Sequence, residues 1–137
     1  MLNNLYINWT KENEVGIKII DEQHRGIVST VNSLYYFIQS GHNQEIIKPT
    51  IIILQQYIKV HFQTEEELIL KSSYPDASEH IKMHRDWMKK SKVIFYEALN
   101  NQDSKMLLKF LKEWWIQHIR HEDVKYTPYV EKLITHQ

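Results

Sequence analysis

The segment IIILQQYIKVHFQTEEEL, residues 51–68, decides the fold of this chain. Its core-facing positions recur at alternating steps of three and four residues, at Ile51, Leu54, Ile58, His61, Glu65 and Leu68. That spacing is typical of the buried stripe of an amphipathic α-helix. The stripe is apolar except at His61 and Glu65. The segment therefore predicts a helix that turns an imidazole and a carboxylate toward the protein interior.

Three other segments of helical length carry stripes with the same periodicity. The first contains Ile20, His24, Ile27, Val31, Leu34 and Ile38. The third contains Ala77, His80, His84, Trp87, Ser91, Ile94 and Ala98, and the fourth contains Leu107, Leu111, Trp114 and His118. Clusters of helix-breaking residues at 40–43, 72–76 and 100–104 separate the four segments, and no strand-like alternation interrupts them.

Four amphipathic helices joined by short connections predict an all-α fold, an antiparallel up-down-up-down four-helix bundle. We expect one domain over residues 1–137, with an N-terminal arm at 1–18 and the bundle from about 19 to 133. Gly41 suits the end of the first helix. Pro128 should break the fourth helix near its end.

The composition excludes several classes of protein. The 137 residues include 17 Lys and Arg against 17 Asp and Glu, which argues against a generally basic nucleic-acid-binding protein. The absence of Cys excludes disulfides, thiolate metal sites and iron–sulfur clusters. No apolar run approaches the ~20 residues of a membrane span, and the N-terminus lacks the features of a signal peptide. We therefore expect a cytoplasmic protein without a membrane span.

Residues of metal-ligand type interrupt all four inward stripes. They are His24 on the first, His61 and Glu65 on the second, His80 and His84 on the third, and His118 on the fourth. Burying such groups without partners is costly, whereas a metal ion removes the cost because neutral imidazole and carboxylate become its ligands. The four-residue spacing within each pair puts both side chains on one helix face. Either pair alone is as well explained by surface residues, but all four stripes together favour a metal site inside the bundle.

The fourth helix leaves the identity of its carboxylate open. Glu122 lies four residues after His118 and repeats the spacing of the second helix. Asp123 lies five residues after His118, rotated by ~140° in a regular α-helix unless the helix widens locally into a π-type turn. Helical geometry alone favours Glu122.

Several motifs occur together along the chain. They are Trp9, Val15-Gly16-Ile17, Ile19 through His24, His61 through Glu66, Tyr74-Pro75, His80-x-x-x-His84, and Trp115 through Asp123 and Tyr126. With these motifs the chain resembles the hemerythrins, and more closely the bacterial single-domain bacteriohemerythrins, over nearly its whole length. In that family the residue five positions after the last His is the bridging carboxylate. The resemblance therefore favours Asp123 and implies a helix irregularity between His118 and Asp123.

The resemblance also implies two non-haem iron ions (Fe2+/Fe3+) joined by a bridging hydroxo or oxo group. The implied metal ligands are His80, His84 and His118 for one iron, His24 and His61 for the other, and Glu65 and Asp123 as bridges. Five imidazoles, two bridging carboxylates and the bridging oxygen leave one position open on two octahedral ions, on the iron with fewer imidazoles.

Reversible binding of molecular oxygen at this position is what the resemblance implies. Candidates for the walls of a dry pocket around it are Phe62, Leu68, Trp114 and Ile119. The expected use is oxygen storage, buffering or delivery to an oxygen-consuming enzyme, by a carrier that is not itself an enzyme. We expect a monomer with no nucleic-acid partner.

The same open position also suits other functions. The main alternative is a diiron redox enzyme with peroxidase, nitric-oxide or repair activity, and another is an O2 sensor that acts through a separate partner. Iron storage is disfavoured because nothing in the chain supplies a mineral cage. The remaining histidines, His42, His121 and His136, are assigned to solvent.

Overall fold

The computed structural model describes residues 5–101 and 103–135, apart from the side chains at 120, 121 and 135. Its main elements are α1 (Lys18–Gln39), α2 (Gln44–Lys71), α3 (Ala77–Asn100), α4 (Ser104–Trp114) and α5 (Thr127–Thr135). A π-helical segment (Trp115–Glu122) and a 3-10 turn (Asp123–Tyr126) join α4 to α5. No strand occurs within these ranges, and the predicted all-α class is confirmed.

Helices α1, α2 and α3 and the rod formed by α4 and α5 make the predicted four-helix bundle. The connections between the rods are only a few residues long, so neighbours in the sequence run side by side in opposite directions. Helix α1 packs along α2, α2 along α3, and α3 along α4, and α4 also contacts α1 to close the bundle. None of the described helices is long and apolar enough to cross a membrane.

The helix ends follow local sequence signals. Gly41 adopts a φ of 72° just after α1, in the left-handed region that glycine tolerates best. The Asn43 side chain caps α2 by accepting a hydrogen bond of 3.0 Å from the backbone N–H of Glu45. Pro128 lies in the first turn of α5, where a missing N–H costs little. The expected break in the fourth rod therefore falls in the irregular turns just before Pro128.

Two apolar clusters fill the bundle, one toward each end. The larger cluster includes Ile27, Leu34, Ile51, Leu54, Leu107 and Leu111. The smaller cluster includes Ile17, Ile20, Ile69, Tyr126 and Val130. The ligand-type residues fall between these two sets along each rod, so they form a polar layer that apolar side chains enclose from both ends.

Helix α3 differs from the prediction in its C-terminal half. Phe95 is buried, whereas Ile94 on the predicted stripe is only half-buried. In a helix of 3.6 residues per turn, Phe95 lies about 20° around the axis from His84, while Ile94 lies about 80° from it. The buried stripe of α3 therefore continues from His84 through Phe95 to Ala98.

The residues before α1 lie against the bundle as an arm. The backbone N–H of Ile7 donates to Asn32 Oδ1 and Asn32 Nδ2 donates to the Ile7 carbonyl, both at 2.9 Å. Nearer to α1, the Val15 N–H donates to Asp21 Oδ1 at 2.7 Å. Ile7 and Val15 are buried and Trp9 is half-buried, so the arm covers part of the apolar core.

Candidate metal centre

All the side chains singled out as metal ligands lie in the buried polar layer, and each is 3% exposed or less. They form two overlapping groups that share Glu65. One group is His80, His84, His118 and Glu65, and the other is His24, His61, Asp123 and Glu65. Within each group, one donor atom from every residue lies within 4.8 Å of the others. The spacing suits two neighbouring metal ions.

Asp123 reaches both groups with different oxygens. Its Oδ1 lies 3.1 Å from His118 Nε2 and 3.4 Å from His80 Nε2. Its Oδ2 lies 3.1 Å from His24 Nε2 and 3.8 Å from His61 Nε2. This carboxylate therefore spans the gap between the two sets of imidazoles.

Glu65 also reaches both groups, but through a single oxygen. Its Oε1 lies 3.0 Å from His84 Nε2 and 3.3 Å from His61 Nε2. Its Oε2 accepts a hydrogen bond of 2.6 Å from the hydroxyl of Tyr126. The sequence analysis gave Tyr126 no role in the site, although Tyr126 belongs to the motifs that carry the family resemblance and lies three residues after Asp123, one turn along the same rod.

Hydrogen bonds on the outer nitrogens orient two of the imidazoles. The Nδ1–H of His61 donates to Gln23 Oε1 at 3.0 Å, and the Gln23 amide in turn donates to Thr64 Oγ1 at 2.9 Å. The Nδ1–H of His84 donates to Glu66 Oε2 at 3.0 Å. Each donation leaves the Nε2 lone pair directed into the layer, as in metal sites whose histidines are held by outer partners.

These lone pairs face other electron-rich atoms at short range. His61 Nε2 lies 3.2 Å from His24 Nε2, and His84 Nε2 lies 3.0 Å from the carboxylate oxygen of Glu65. Within the described residues, the buried His80 Nε2 and Asp123 Oδ1 also lack a hydrogen-bond partner. Cations among these atoms would satisfy all of them. Imidazole nitrogen and carboxylate oxygen together suit non-haem iron, so the donor set fits a diiron centre.

The π-helical segment turns one of the two candidate carboxylates toward the imidazoles. The backbone N–H of Asp123 bonds to the carbonyl of His118, five residues earlier. The wider π turn brings residues five apart onto one face, so Asp123 faces the imidazoles. The carboxylate of Glu122 is one-third exposed and pairs with Lys125 at 3.1 Å. The preference of regular helical geometry for Glu122 is therefore wrong, and the expected helix irregularity is present.

Burial controls the protonation of the layer. It lowers the pKa of His24 and His61 and lowers that of His118 to about 3. Burial and the neighbouring Glu65 raise the pKa of the Asp123 carboxyl well above its usual value. Burial also acts to raise the pKa of Glu65, but the surrounding imidazoles, led by His61, outweigh it and hold that pKa well below its usual value. Neutral imidazoles keep their lone pairs available to metal ions.

Aromatic rings enclose the group with three imidazoles. Phe62 stacks on His84 with ring centroids 3.9 Å apart and planes at 11°. Trp114 stacks on His118 at 5.7 Å and 13°. Both were expected in the wall of a dry pocket on the side with two imidazoles, but they stack on the other group and meet that side only at the His61 ring, at centroid distances of 6.2 and 6.5 Å. Ile119, also expected in that wall, is buried in the larger apolar cluster. Leu68, also expected there, is half-buried and packs against the smaller apolar cluster instead.

A pair of tryptophans covers the group with two imidazoles. The edge of Trp115 meets His24 at a centroid distance of 5.8 Å, and Trp9 of the arm lies 5.9 Å from Trp115. The guanidinium of Arg25 lies over the Trp9 ring at 5.3 Å. This contact between arm and centre was not predicted, because sequence spacing carries no information about which aromatic residues of separate segments meet.

The histidines that were assigned to solvent stand apart from the centre. His42 is half-buried beside Phe37, with ring centroids 5.3 Å apart, so its assignment to solvent is wrong in part. The side chain of His121 and the whole of His136 lie outside the described residues.

Comparison with known proteins reveals extended sequence similarity. Residues 15–130 match the family described as "Hemerythrin HHE cation binding domain". The bacteriohemerythrin of Stenotrophomonas maltophilia is 29% identical over 124 residues, which cover 90% of this chain and 80% of the relative. The bacteriohemerythrin of Methylococcus capsulatus is 30% identical and covers 89% of this chain and 95% of the relative. The myohemerythrin of Theromyzon tessulatum is 29% identical, with coverages of 86% and 88%.

Solved structures show the same fold. The crystal structure of a wild-type hemerythrin superimposes with a TM-score of 0.74 and 24% sequence identity. The alignment covers 90% of this chain and 97% of the other.

Proposed function

This chain belongs to the hemerythrin family, and from that membership we propose that it binds O2 reversibly for storage, buffering or delivery to an oxygen-consuming enzyme. Family membership and the buried histidine and carboxylate layer together support a diiron, O2-binding protein. The observation that carries the proposal is the presence of two overlapping groups of buried donors that share Glu65.

The proposed ligands follow the two groups. They are His80, His84 and His118 for one iron, His24 and His61 for the other, and Glu65 and Asp123 as bridges. The position of Asp123 supports its role because each carboxylate oxygen faces a different group. The position of Glu65 supports its role because one oxygen lies near imidazoles of both groups.

The two groups differ by one imidazole, which supports an open position on the side of His24 and His61. An iron pair held by these residues would supply the electrons that O2 takes up on binding and gives back on release. The protein contributes an enclosed setting, since Trp115 packs on His24 and Phe62 and Trp114 cover the other side. Exclusion of water disfavours charge separation and so favours release of intact O2.

Outer hydrogen bonds hold the donors in place. Gln23 fixes the ring of His61, and Glu66 fixes the ring of His84. The hydroxyl of Tyr126 holds one oxygen of Glu65. These contacts reduce the reorganisation that the chain must undergo when O2 binds and leaves.

Metal analysis combined with optical spectroscopy tests the proposal. The purified, reduced protein should contain about two irons per chain. Air should produce a visible charge-transfer absorption that disappears when oxygen is removed and returns over repeated cycles. A reduced protein that oxidises irreversibly, without a reversible spectrum, would contradict oxygen carriage. Rapid, repeated turnover of peroxide by the same preparation would instead favour the diiron redox enzyme.

A further inference from the structure

A groove runs between α2 and α3 beside the metal centre. The part nearer the centre has a volume of about 330 Å³, and Phe62 and Met88 are among the residues that line it. It continues along the same two helices into a depression of about 470 Å³ that reaches Phe95, and the two parts share Lys59, Met88 and Lys92.

Four cationic side chains line this groove. They are Lys59 on α2 and Arg85, Lys89 and Lys92 on α3. All four are exposed, and none forms an ion pair with a carboxylate among the residues that the structure describes. The acidic residue lining the groove is Glu66, which already accepts the hydrogen bond from His84. The chain as a whole carries no net charge, so the groove concentrates positive charge locally.

The ring of His84 connects the groove with the centre. Its Nε2 lies 3.0 Å from Glu65 Oε1 within the buried layer. Its Nδ1 lies 3.0 Å from the carboxylate of Glu66, which is one-third exposed in the groove. Phe62, stacked on the same ring, also lines the groove. His84, a proposed iron ligand, therefore lines the groove directly, with no other residue in between.

We propose that this groove docks an acidic one-electron carrier protein, which returns electrons to the diiron centre through His84. The proposal rests on the proposed function, because it requires a ferric iron pair, which would form whenever O2 keeps two electrons of the pair, takes up two protons and leaves as hydrogen peroxide. Two successive transfers balance the step: each reduced carrier loses one electron, and each transfer converts one ferric ion to a ferrous ion.

The arrangement of the charges favours a protein over a small anion. Arg85, Lys89 and Lys92 follow one another at steps of four and three residues, so they form a row on one face of α3 about 10 Å long. A small anion requires donors that converge on one point, whereas a row of cations matches a row of carboxylates on another surface. Electron-transfer complexes use small, transient interfaces, and charge of opposite sign steers their encounter.

Binding to a reduced flavodoxin, an acidic flavin protein, tests the docking. The groove variant is Lys89→Glu with Lys92→Glu, and the matched control is Lys105→Glu with Lys109→Glu on α4, where both lysines are exposed. Both variants change the net charge equally. At low ionic strength, calorimetry on the iron-loaded protein should show binding weakened about tenfold or more by the groove variant and within about twofold of wild type for the control.

Reduction kinetics test the electron path. The groove variant should slow reduction of the oxidised centre by flavodoxin about tenfold, but should leave reduction by methyl viologen radical cation, a small positively charged reductant, undiminished. Equal loss in the groove and control variants, or no loss in either, would overturn the proposal. So would occupation of the groove by inorganic phosphate without binding of flavodoxin. Iron content and the reversible oxygen spectrum, measured on the same preparations, show separately whether the proposed function holds.

Discussion

Asp123 and Glu122 are adjacent acidic residues with opposite surroundings. Asp123 is fully buried and touches imidazoles of both groups, whereas Glu122 is partly exposed and pairs with Lys125. Substituting each residue in turn therefore tests whether Asp123 or Glu122 contributes a carboxylate to the centre.

Asp123→Asn should remove the negative charge of one proposed bridging carboxylate while preserving side-chain size. We expect iron content to fall from about two per chain to about one or less, because the remaining donors no longer balance the charge of two cations. Metal analysis after desalting measures the change. Glu122→Gln is the matched control and should leave iron content and the oxygen spectrum unchanged. If the control loses iron and Asp123→Asn keeps it, the ligand assignment is wrong.

Gln23 is expected to position His61 without touching the metal. Gln23→Leu removes the acceptor of the His61 Nδ1–H, so the ring loses its fixed orientation. Affinity for iron should fall by about 10- to 100-fold, as is typical when an outer partner of a metal-binding histidine is lost. Competition with a chelator of known affinity measures the effect. Gln56→Leu, at an exposed position of α2, the helix that carries His61, should have no comparable effect.

At the scale of single elements, the N-terminal arm covers one side of the layer of buried donors. Trp9 covers Trp115, which covers His24. Trp9→Ala should speed oxidation of the reduced protein by about tenfold, because water gains access to the group with two imidazoles. The loss of the reversible oxygen spectrum with time in air measures that rate.

Trp87→Ala is the control for the arm. Trp87 is also half-buried, but it packs on Phe110 at a centroid distance of 5.4 Å, within the larger apolar cluster. Both substitutions should lower the free energy of unfolding by about 1–3 kcal/mol. Only Trp9→Ala should also speed oxidation, and equal oxidation rates in both variants would argue against a covering role of the arm.

For the whole molecule, the buried imidazoles link folding of the metal-free protein to pH. The folded state lowers the pKa of His24 and His61, and that of His118 to about 3, whereas a histidine in an unfolded chain has a pKa of about 6.5. Below pH ~6.5 the unfolded chain takes up protons that the folded layer does not, so stability is lost as pH falls. Urea unfolding of the chelated protein should show a decrease of about 1.4 kcal/mol or more per pH unit near pH 5.

Asp123 contributes to the pH dependence of stability with the opposite sign. Its raised pKa keeps a proton in the folded state, so that its contribution to stability is lost as pH rises from about 3.8 through the folded-state pKa. One such carboxyl offsets only part of the loss of stability that the three imidazoles cause as pH falls.

Iron loading is the control for this pH dependence. Iron should stabilise the folded protein at neutral pH, and this stabilisation should disappear on acidification because protons compete with iron for the donor atoms. Stability of the metal-free protein that does not change with pH would contradict this account.

Helical periodicity accounts for most of the agreement between sequence and structure. The spacing of His61 and Glu65, and of His80 and His84, put each pair on the buried face of its helix as predicted. The same rule failed at Glu122, because one π-helical segment adds a residue to the turn. Among the features of the sequence, only the family resemblance favoured Asp123.

The sequence by itself determined the four amphipathic rods and the inward direction of His24, His61, Glu65, His80, His84 and His118. These features depend on the regular rotation between neighbouring residues, which is a local property. Only the tertiary structure decided that Asp123 faces both groups, that Trp9 covers Trp115 and that cations without an ion-pair partner among the described residues line a groove beside His84. Those contacts depend on an altered helical turn and on the packing of separate helices, and neither is encoded in the periodicity of any single segment.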